Sequence, residues 1–420
     1  MSKPIDVVVV GGGQAGLAAS HFLTLRGIEN VVIERGRVGE TWRSQRWDSF
    51  ALNTPRWMSQ MPGEPEDDGD RDAFLSAPAW VGRLEASVAR QRLPVREEVL
   101  VKVVRPRPAG GFDVQVEGPG GAEALGARAV IVASGTHNVP RIPSWAHALP
   151  SDVLQLTAGS YRRPADLPPG GVLVVGGAQS GVQIAEDLVL AGREVHLATS
   201  SVGRLRRRYR GRDSLEWLVL AGFWDRTPDQ LSDPRMLTWP NPQLSGVGPQ
   251  GHTVGLQSLA AMGVRLLGRP TSADAGRIVL EDTLGASIAF ADRLAVDLIA
   301  TADHAIAEAG IDAPPAEPDP ADMPHPDPTS VHSPTEIDLP RAGISTIIWT
   351  TGFGGDFGYL PPGALDAAGH PVHDGLRSAL PGLYYLGFPW LVKRKSGIIH
   401  GLAEDGAAVV GLIAQGLGRG

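Results

Sequence analysis

Near the start of the chain lies the stretch Ile5-Asp6-Val7-Val8-Val9-Val10-Gly11-Gly12-Gly13-Gln14-Ala15-Gly16, in which a run of valines leads into a glycine-rich turn. The valines predict a buried strand, and the glycines predict a tight turn into a helix. Gly11 permits the turn, Gly13 lets the backbone approach a diphosphate, and Gly16 lets the helix pack closely against the strand. The free N–H groups at the start of the helix favour an anion. This stretch therefore predicts a dinucleotide-binding site.

An acidic residue at the end of the next strand supports this prediction. Val31-Val32-Ile33-Glu34 predicts a strand whose terminal carboxylate can accept hydrogen bonds from an adenosine ribose. The alternative, a glycine turn in another kind of α/β domain, is disfavoured by the full order of strand, turn, helix, strand and acid. Further on, Gly39, Thr41 and Trp42 offer donors to the far side of the diphosphate. Alternatively, Trp42 and Trp47 pack beneath a loop.

Composition excludes several classes of function. The chain has 420 residues, enough for two domains, and its 38 Lys+Arg against 46 Asp+Glu give a net charge of −8, which argues against a nucleic-acid partner. No cysteine is present, so disulfides, thiolate metal sites and redox-active dithiols are excluded, and no metal is predicted. Without a signal sequence or a membrane-spanning apolar run, we expect a soluble cytoplasmic protein with no membrane partner. The oligomeric state is left open, with a homo-oligomer as one option.

A second copy of the opening motif lies in the middle of the chain. Gly171-Val172-Leu173-Val174-Val175 leads into Gly176-Gly177-Ala178-Gln179-Ser180-Gly181, where alanine replaces the middle glycine and still admits a diphosphate at a slightly greater distance. The following strand ends in Thr199-Ser200-Ser201 instead of an acid, and arginines 204, 206, 207, 208 and 210 come close behind. These features predict a ribose that carries a 2′-phosphate, and hence NADPH in preference to NADH. The alternative is that the arginines form a solvated face or a partner surface.

Two further strands end in small residues. Residues 129–133 lead into Ser134-Gly135-Thr136, and residues 344–349 lead into Thr350-Thr351-Gly352. The order of these motifs predicts an α/β fold with two dinucleotide-binding, Rossmann-like, three-layer domains, one inserted into the other. Residues 1–165 and 340–420 are predicted to form the first domain. Residues 166–339 are predicted to form the second, with a Pro- and acid-rich surface loop at 313–328.

As a set, these motifs resemble those of the flavin-containing monooxygenase family, including its shorter bacterial and plant auxin-pathway-like members. The resemblance covers nearly the whole chain and rests on residues 11–16, 39–42, 133–135, 176–181 and 350–353. It implies FAD at the first site and NADPH at the second. It also implies that O₂ adds to the reduced flavin to give a C4a-(hydro)peroxide, which oxygenates a small organic substrate of heteroatom, carbonyl or 2-oxo-acid type. The alternatives are a flavin-dependent NADPH oxidase or dehydrogenase on the same fold, and a non-catalytic nucleotide-binding redox sensor.

The resemblance also suggests roles for particular residues. Asn53 falls where family members carry an asparagine near the flavin N5, so it is the candidate catalytic residue, although an asparagine before Thr-Pro is also a routine turn residue. A helix is predicted from residue 397 to about 413. Its N-terminus and the cations at 393–395 favour the electron-rich edge of a reduced flavin.

One departure from the family pattern concerns a signature histidine, whose position is taken by Thr157. This departure argues against a Baeyer–Villiger enzyme. His137, His252 and His400 are candidate acids or bases by residue type alone, and surface or hydrogen-bonded histidines are the simpler interpretation.

The predicted cofactor-binding residues come from both halves of the chain. They are Gly11, Gly13, Gln14, Ala15, Gly16, Glu34, Arg35, Gly39, Thr41, Trp42, Val101, Ala133, Ser134, Gly135, Gly176, Ala178, Gln179, Ser180, Gly181, Ser200, Arg204, Arg207, Thr351, Gly352, Gly387, Phe388 and Ser396.

Overall fold

The computed structural model describes residues 3–65 and 69–419. Its helices are α1 (Gln14–Leu25), α2 (Glu40–Ser44), α3 (Ala77–Gln91), α4 (Gln179–Leu190), α5 (Ser214–Leu220), α6 (Leu256–Ala261), α7 (Leu284–Glu308) and α8 (Leu402–Gly416). Its strands are β1 (Ile5–Val10), β2 (Asn30–Ile33), β3 (Val95–Arg96), β4 (Leu100–Pro106), β5 (Phe112–Gly118), β6 (Gly121–Val132), β7 (Val139–Pro140), β8 (Leu154–Thr157), β9 (Gly171–Val175), β10 (Val195–Ala198), β11 (Arg208–Tyr209), β12 (Arg212–Asp213), β13 (Arg265–Leu267), β14 (Pro270–Asp274), β15 (Arg277–Leu280), β16 (Glu336–Asp338), β17 (Ile344–Trp349), β18 (Phe353–Gly354), β19 (His373–Asp374), β20 (Arg377–Ser378) and β21 (Leu383–Tyr385). No helix within these described ranges is long and apolar enough to cross a membrane.

The first sheet is built around β1. Its strand order is β19-β20-β21-β6-β1-β2-β3, and the β4–β5 hairpin joins it through β6. β1 pairs in parallel with β2 on one side and with β6 on the other. Its side chains Val7, Val8 and Val9 have no exposed surface, as expected for a central parallel strand that is covered on both faces. The C-terminal helix α8 returns to this unit and packs against α1.

The second sheet repeats this arrangement around β9. Its strand order is β13-β10-β9-β17-β8, and all of its pairings are parallel. β17 therefore occupies the place that β6 has in the first sheet, and β10 occupies the place of β2. The predicted α/β fold with two dinucleotide-binding domains is confirmed.

The second unit extends beyond its predicted range of 166–339. Both β8, at residues 154–157, and β17, at residues 344–349, are hydrogen-bonded into the second sheet. The predicted boundaries followed proline-rich segments, whereas sheet membership follows strand pairing. β17 completes the second sheet because β9, like β1, needs a parallel neighbour on each edge.

The two glycine turns share one backbone geometry. Gly11 has φ of 110° and Gly176 has φ of 113°, a region that favours glycine. A Cβ atom placed on Gly16 would lie 1.9 Å from the carbonyl oxygen of Gly11, and one on Gly181 would lie 1.7 Å from that of Gly176. By contrast, a Cβ atom on Gly13 would meet no atom within 4 Å. Close packing of helix on turn is thus required at the last glycine and not at the middle one, which is alanine in the second copy.

We expect Gly16→Ala to lower the free energy of unfolding by about 2–3 kcal/mol, because the added methyl group overlaps a backbone oxygen that cannot move alone. The matched control is Gly13→Ala, which should change the free energy of unfolding by no more than about 0.5 kcal/mol. Urea unfolding of the two variants measures both values. Equal stability of the variants would contradict the packing argument.

Candidate active site

A cavity of about 1360 Å³ is lined by residues of both units. The glycine turn after β9 contributes to one part of its wall, and Gln14, Trp42 and Asn53 of the first unit contribute to another. No aspartate or glutamate among the described residues lines the cavity, although the chain as a whole carries a net charge of −8. Its charged lining consists of Arg46, Arg141, Arg269 and Arg394. The cavity therefore favours anionic ligands.

The carboxylate of Glu34 is hydrogen-bonded to the first glycine turn. One of its carboxylate oxygens accepts a hydrogen bond from the Gly12 amide at 2.6 Å, and the other accepts from the Gly36 amide at 2.8 Å. Burial raises the pKa of Glu34 above its usual value despite these two donors. A carboxylate has about four acceptor positions, so hydrogen bonds from ribose hydroxyl groups fit beside the two that are made. With open space at Gly13, the turn fits the dinucleotide predicted there.

The remaining predicted residues of the first unit fall into two groups. Gln14 Oε1 accepts a hydrogen bond from Trp42 Nε1 at 2.9 Å, and both side chains line the cavity, as does Phe388. Ser134 Oγ lies 2.8 Å from the hydroxyl of Tyr359, a residue that the sequence analysis missed. The other predicted residues pack around the turn or lie at its edge. Ala15, Val101 and Ala133 are buried in the core, and Gly135 and Gly387 adopt positive φ. Gly39 precedes α2, which contains Thr41, and Arg35 is exposed.

The second turn brings most of its predicted residues to the cavity wall. Its lining includes Gly176, Ala178, Gln179, Ser180, Ser200, Thr351 and Gly352. The predicted nucleotide contacts after β9, β10 and β17 are thus assembled at the carboxyl ends of neighbouring parallel strands, where α/β sheets bind ligands.

Asn53 is held in the cavity wall by the second unit. Its side-chain oxygen Oδ1 accepts a hydrogen bond from Gln183 Nε2 at 2.8 Å, and its backbone oxygen accepts from Arg207 Nη1 at 2.8 Å. Its side-chain nitrogen Nδ2 forms no hydrogen bond with the described residues, so this N–H donor is free for a ligand. Gln183 follows Gln179 by one turn of α4, so both lie on the same face of the helix. This spacing in the sequence could have identified Gln183 as a residue of the site.

The predicted phosphate role of Arg204 and Arg207 is not supported by the structure. Arg204 Nη2 lies 2.9 Å from Asp292 Oδ1, and the same guanidinium also pairs with Asp322. Arg207 Nη2 lies 2.6 Å from Asp213 Oδ2, in a pair whose side chains are both 1% exposed. Neither arginine lines the cavity. Their charges are balanced inside the fold, because each belongs to an ion pair that is buried with it.

Ser396 also has a structural role instead of the predicted cofactor contact. Its hydroxyl accepts hydrogen bonds from the amides of Val392 and Lys393 at 3.1 and 3.0 Å. α8 begins at Leu402 and not at residue 397, because two short 3₁₀ turns at 394–397 and 399–401 precede it.

The histidines considered as acids or bases have separate environments. His252 Nε2 lies 2.7 Å from Glu186 Oε1, a pairing that raises the pKa of His252. His137 lines the cavity, and its pKa is lowered by burial and by the charges of Arg46 and Arg141. His400 packs edge-on to Trp57 outside the cavity lining. Within the described part of the chain, no group of three or more His, Asp or Glu side chains could hold a metal ion.

Replacement of Arg207 by methionine should lower the free energy of unfolding by about 3–5 kcal/mol, because it leaves the buried Asp213 carboxylate without its partner. The control is Arg212→Gln, which removes a partly exposed pair with Glu216 and should cost less than about 1 kcal/mol. Urea unfolding provides both values. A stable Arg207→Met protein that has lost its preference for NADPH would restore the phosphate role.

Comparison with known proteins identifies the family to which this chain is related. Residues 8–219 match the pyridine nucleotide-disulphide oxidoreductase family. An uncharacterized oxidoreductase, CzcO-like, of Geobacillus kaustophilus is 28% identical over 96% of this chain and 97% of its own length. The indole-3-pyruvate monooxygenase YUCCA1 of Oryza sativa is 28% identical over 58% of this chain and 59% of its own. The resemblance to flavin-containing monooxygenases is confirmed.

A solved structure supports the fold. The flavin-containing monooxygenase of Stenotrophomonas maltophilia aligns with a TM-score of 0.64 over 99% of both chains, at 21% identity. The likeness extends through both sheets and includes the segment that returns from the second unit to the first.

Proposed function

The chain belongs to the pyridine nucleotide-disulphide oxidoreductase family, whose members are oxidoreductases, and we propose that it is an FAD-dependent, NADPH-consuming monooxygenase. It would transfer one atom of O₂ to a small organic substrate. The observation that carries the proposal is the cavity that the second glycine turn shares with Gln14, Trp42 and Asn53 of the first unit. A nicotinamide held by one unit and a flavin held by the other would meet there.

The absence of cysteine shapes this proposal within the family. A protein with no cysteine has no dithiol to pass electrons from a flavin to a disulphide substrate. Electrons that reach the cavity must therefore go to a diffusible acceptor, and O₂ is the acceptor used by the monooxygenases that this chain resembles. FAD would supply the oxygen chemistry when bound.

The residues of the chain would position the reactants and exclude water. Asn53 offers its free Nδ2 donor into the cavity, at an orientation fixed by Gln183. Apolar side chains that line the same cavity, including Trp47, Phe50 and Leu52, would limit the access of bulk water and so strengthen a hydrogen bond from Asn53 to a ligand.

The purified protein should be yellow and should incorporate ¹⁸O from ¹⁸O₂ into an organic product when NADPH is supplied. Asn53→Ala should lower the ratio of product to NADPH consumed by about tenfold or more, because a hydrogen bond made at the reacting centre is lost. Mass spectrometry of products and an assay of H₂O₂ measure this ratio. Gln183→Leu should show a smaller loss, since it frees Asn53 to rotate but keeps its donor. Complete conversion of O₂ to H₂O₂ by the unaltered protein with all substrates would indicate an oxidase.

Arg269 is the residue best placed to recognise a 2′-phosphate. The pairing of Leu267 with Ala198 at the ends of β13 and β10 brings Arg269 beside the strand end that carries Ser200, and both line the cavity. Its ion pair with Glu281, at 3.3 Å, is exposed on both sides, with 60% and 44% of the side chains accessible. Such a pair contributes little to stability, so the guanidinium can turn to a phosphate. Arg269 would thus take the role predicted for Arg204 and Arg207.

Replacement of Arg269 by glutamine should lower kcat/KM for NADPH by about 10- to 100-fold and leave that for NADH unchanged, because only NADPH carries the 2′-phosphate. The matched control is Arg265→Gln, which removes an exposed arginine of the same segment that does not line the cavity. Steady-state kinetics with both nucleotides tests the assignment. An equal loss with NADH would show that Arg269 does not read the phosphate.

A further inference from the structure

Of the three consecutive cations Lys393, Arg394 and Lys395, the two lysines share the same acidic partners and the arginine does not. Lys395 Nζ lies 2.7 Å from Asp225 and 2.8 Å from Glu404. Lys393 Nζ lies 3.2 Å from Asp225 and also pairs with Glu404. Two lysines and two acids therefore form a balanced cluster, and neither acid is left to neutralise the arginine between them.

Arg394 instead lies among aromatic rings. Its guanidinium carbon is 4.1 Å from the ring centre of Phe223, 5.3 Å from that of Trp390 and 6.0 Å from that of Trp224. Its Nε atom is buried without a hydrogen-bond partner, and the guanidinium forms no ion pair with the described residues. Burial, together with the charge of Arg226, lowers the pKa of Arg394 to about 10, so it remains charged at neutral pH.

The surroundings of Arg394 form one end of the cavity, which we name the Arg394 pocket. Its apolar wall consists of Leu205, Leu215, Leu218, Phe223, Trp224 and Trp390, all of which line the cavity. Such a site presents a large apolar surface and a single positive charge. A partly buried charge without a partner is destabilising, and an anionic ligand that brings the missing charge offsets this destabilisation.

We propose that Arg394 binds the carboxylate of the substrate and that the substrate is an apolar, aromatic acid. This inference rests on the proposed monooxygenase function and adds the class of substrate. A planar guanidinium holds a carboxylate through two parallel hydrogen bonds, and the aromatic wall accommodates a flat apolar body beside it. The phosphates of NADPH have other partners in the proposed arrangement, at the second glycine turn and at Arg269, so the Arg394 pocket is left for the substrate.

Binding of two matched probes tests this assignment without turnover. The para-methylthio forms of phenylacetate and of phenylacetamide share their ring and their oxidisable sulfur, but only the first carries a charge. Isothermal titration calorimetry of the purified flavoprotein should show that the acid binds about tenfold or more tightly than the amide. Arg394→Gln should weaken binding of the acid by about 10- to 100-fold and leave binding of the amide unchanged. Arg394→Lys should retain part of the preference.

The control variant is Lys393→Gln, which removes a neighbouring positive charge outside the Arg394 pocket and should keep the preference for the acid. Equal binding of both probes by the unaltered protein would overturn the proposal, as would an equal loss of both in Arg394→Gln. If Arg394→Gln slows flavin reduction by NADPH and keeps the preference, Arg394 serves the flavin and the proposal is wrong. Selective acid binding without ¹⁸O incorporation would retain the Arg394 assignment and reject the monooxygenase function.

Discussion

The contact between the last glycine of each turn and the carbonyl oxygen of the first glycine of that turn sets the geometry on which the rest of the protein depends. Gly16 and Gly181 have no space for a side chain, because the helix lies against the turn that begins it. This packing aims the first amides of α1 and α4 at the end of the sheet. The same constraint therefore explains both the duplicated fold and the two places where a dinucleotide fits.

The distribution of charge follows from where the carboxylates lie. Asp292 and Asp322 balance Arg204, Asp213 balances Arg207, and two further acids balance Lys393 and Lys395. The lining of the cavity contains only cations among its charged described residues. A chain that is acidic as a whole thus presents a cationic interior space, which suits phosphates and carboxylates. In the part of the chain that the structure describes, the arginines held in buried ion pairs do not line the cavity, and the cavity cations do not belong to such pairs.

The sequence could predict those parts of the fold and site that depend on local geometry. The glycine turns and the strands beside them follow from short motifs whose backbone conformations depend on neighbouring residues alone. The roles of Arg204 and Arg207 could not be predicted in this way, because their partners Asp292 and Asp213 are brought close only by tertiary folding. For the same reason, the run at 393–395 did not reveal which of its cations faces the cavity.

The position of Asn53 depends on the relative placement of the two units. Asn53 belongs to the first unit, whereas both of its hydrogen-bond donors, Gln183 and Arg207, belong to the second. Arg207 is in turn fixed by its buried pair with Asp213. The Arg207–Asp213 ion pair, found where a phosphate contact was predicted, therefore still affects the position of the candidate catalytic residue. Arg207 holds the backbone oxygen of Asn53 and Gln183 holds its side-chain oxygen, so the position of Asn53 in the cavity wall depends on how the two units dock.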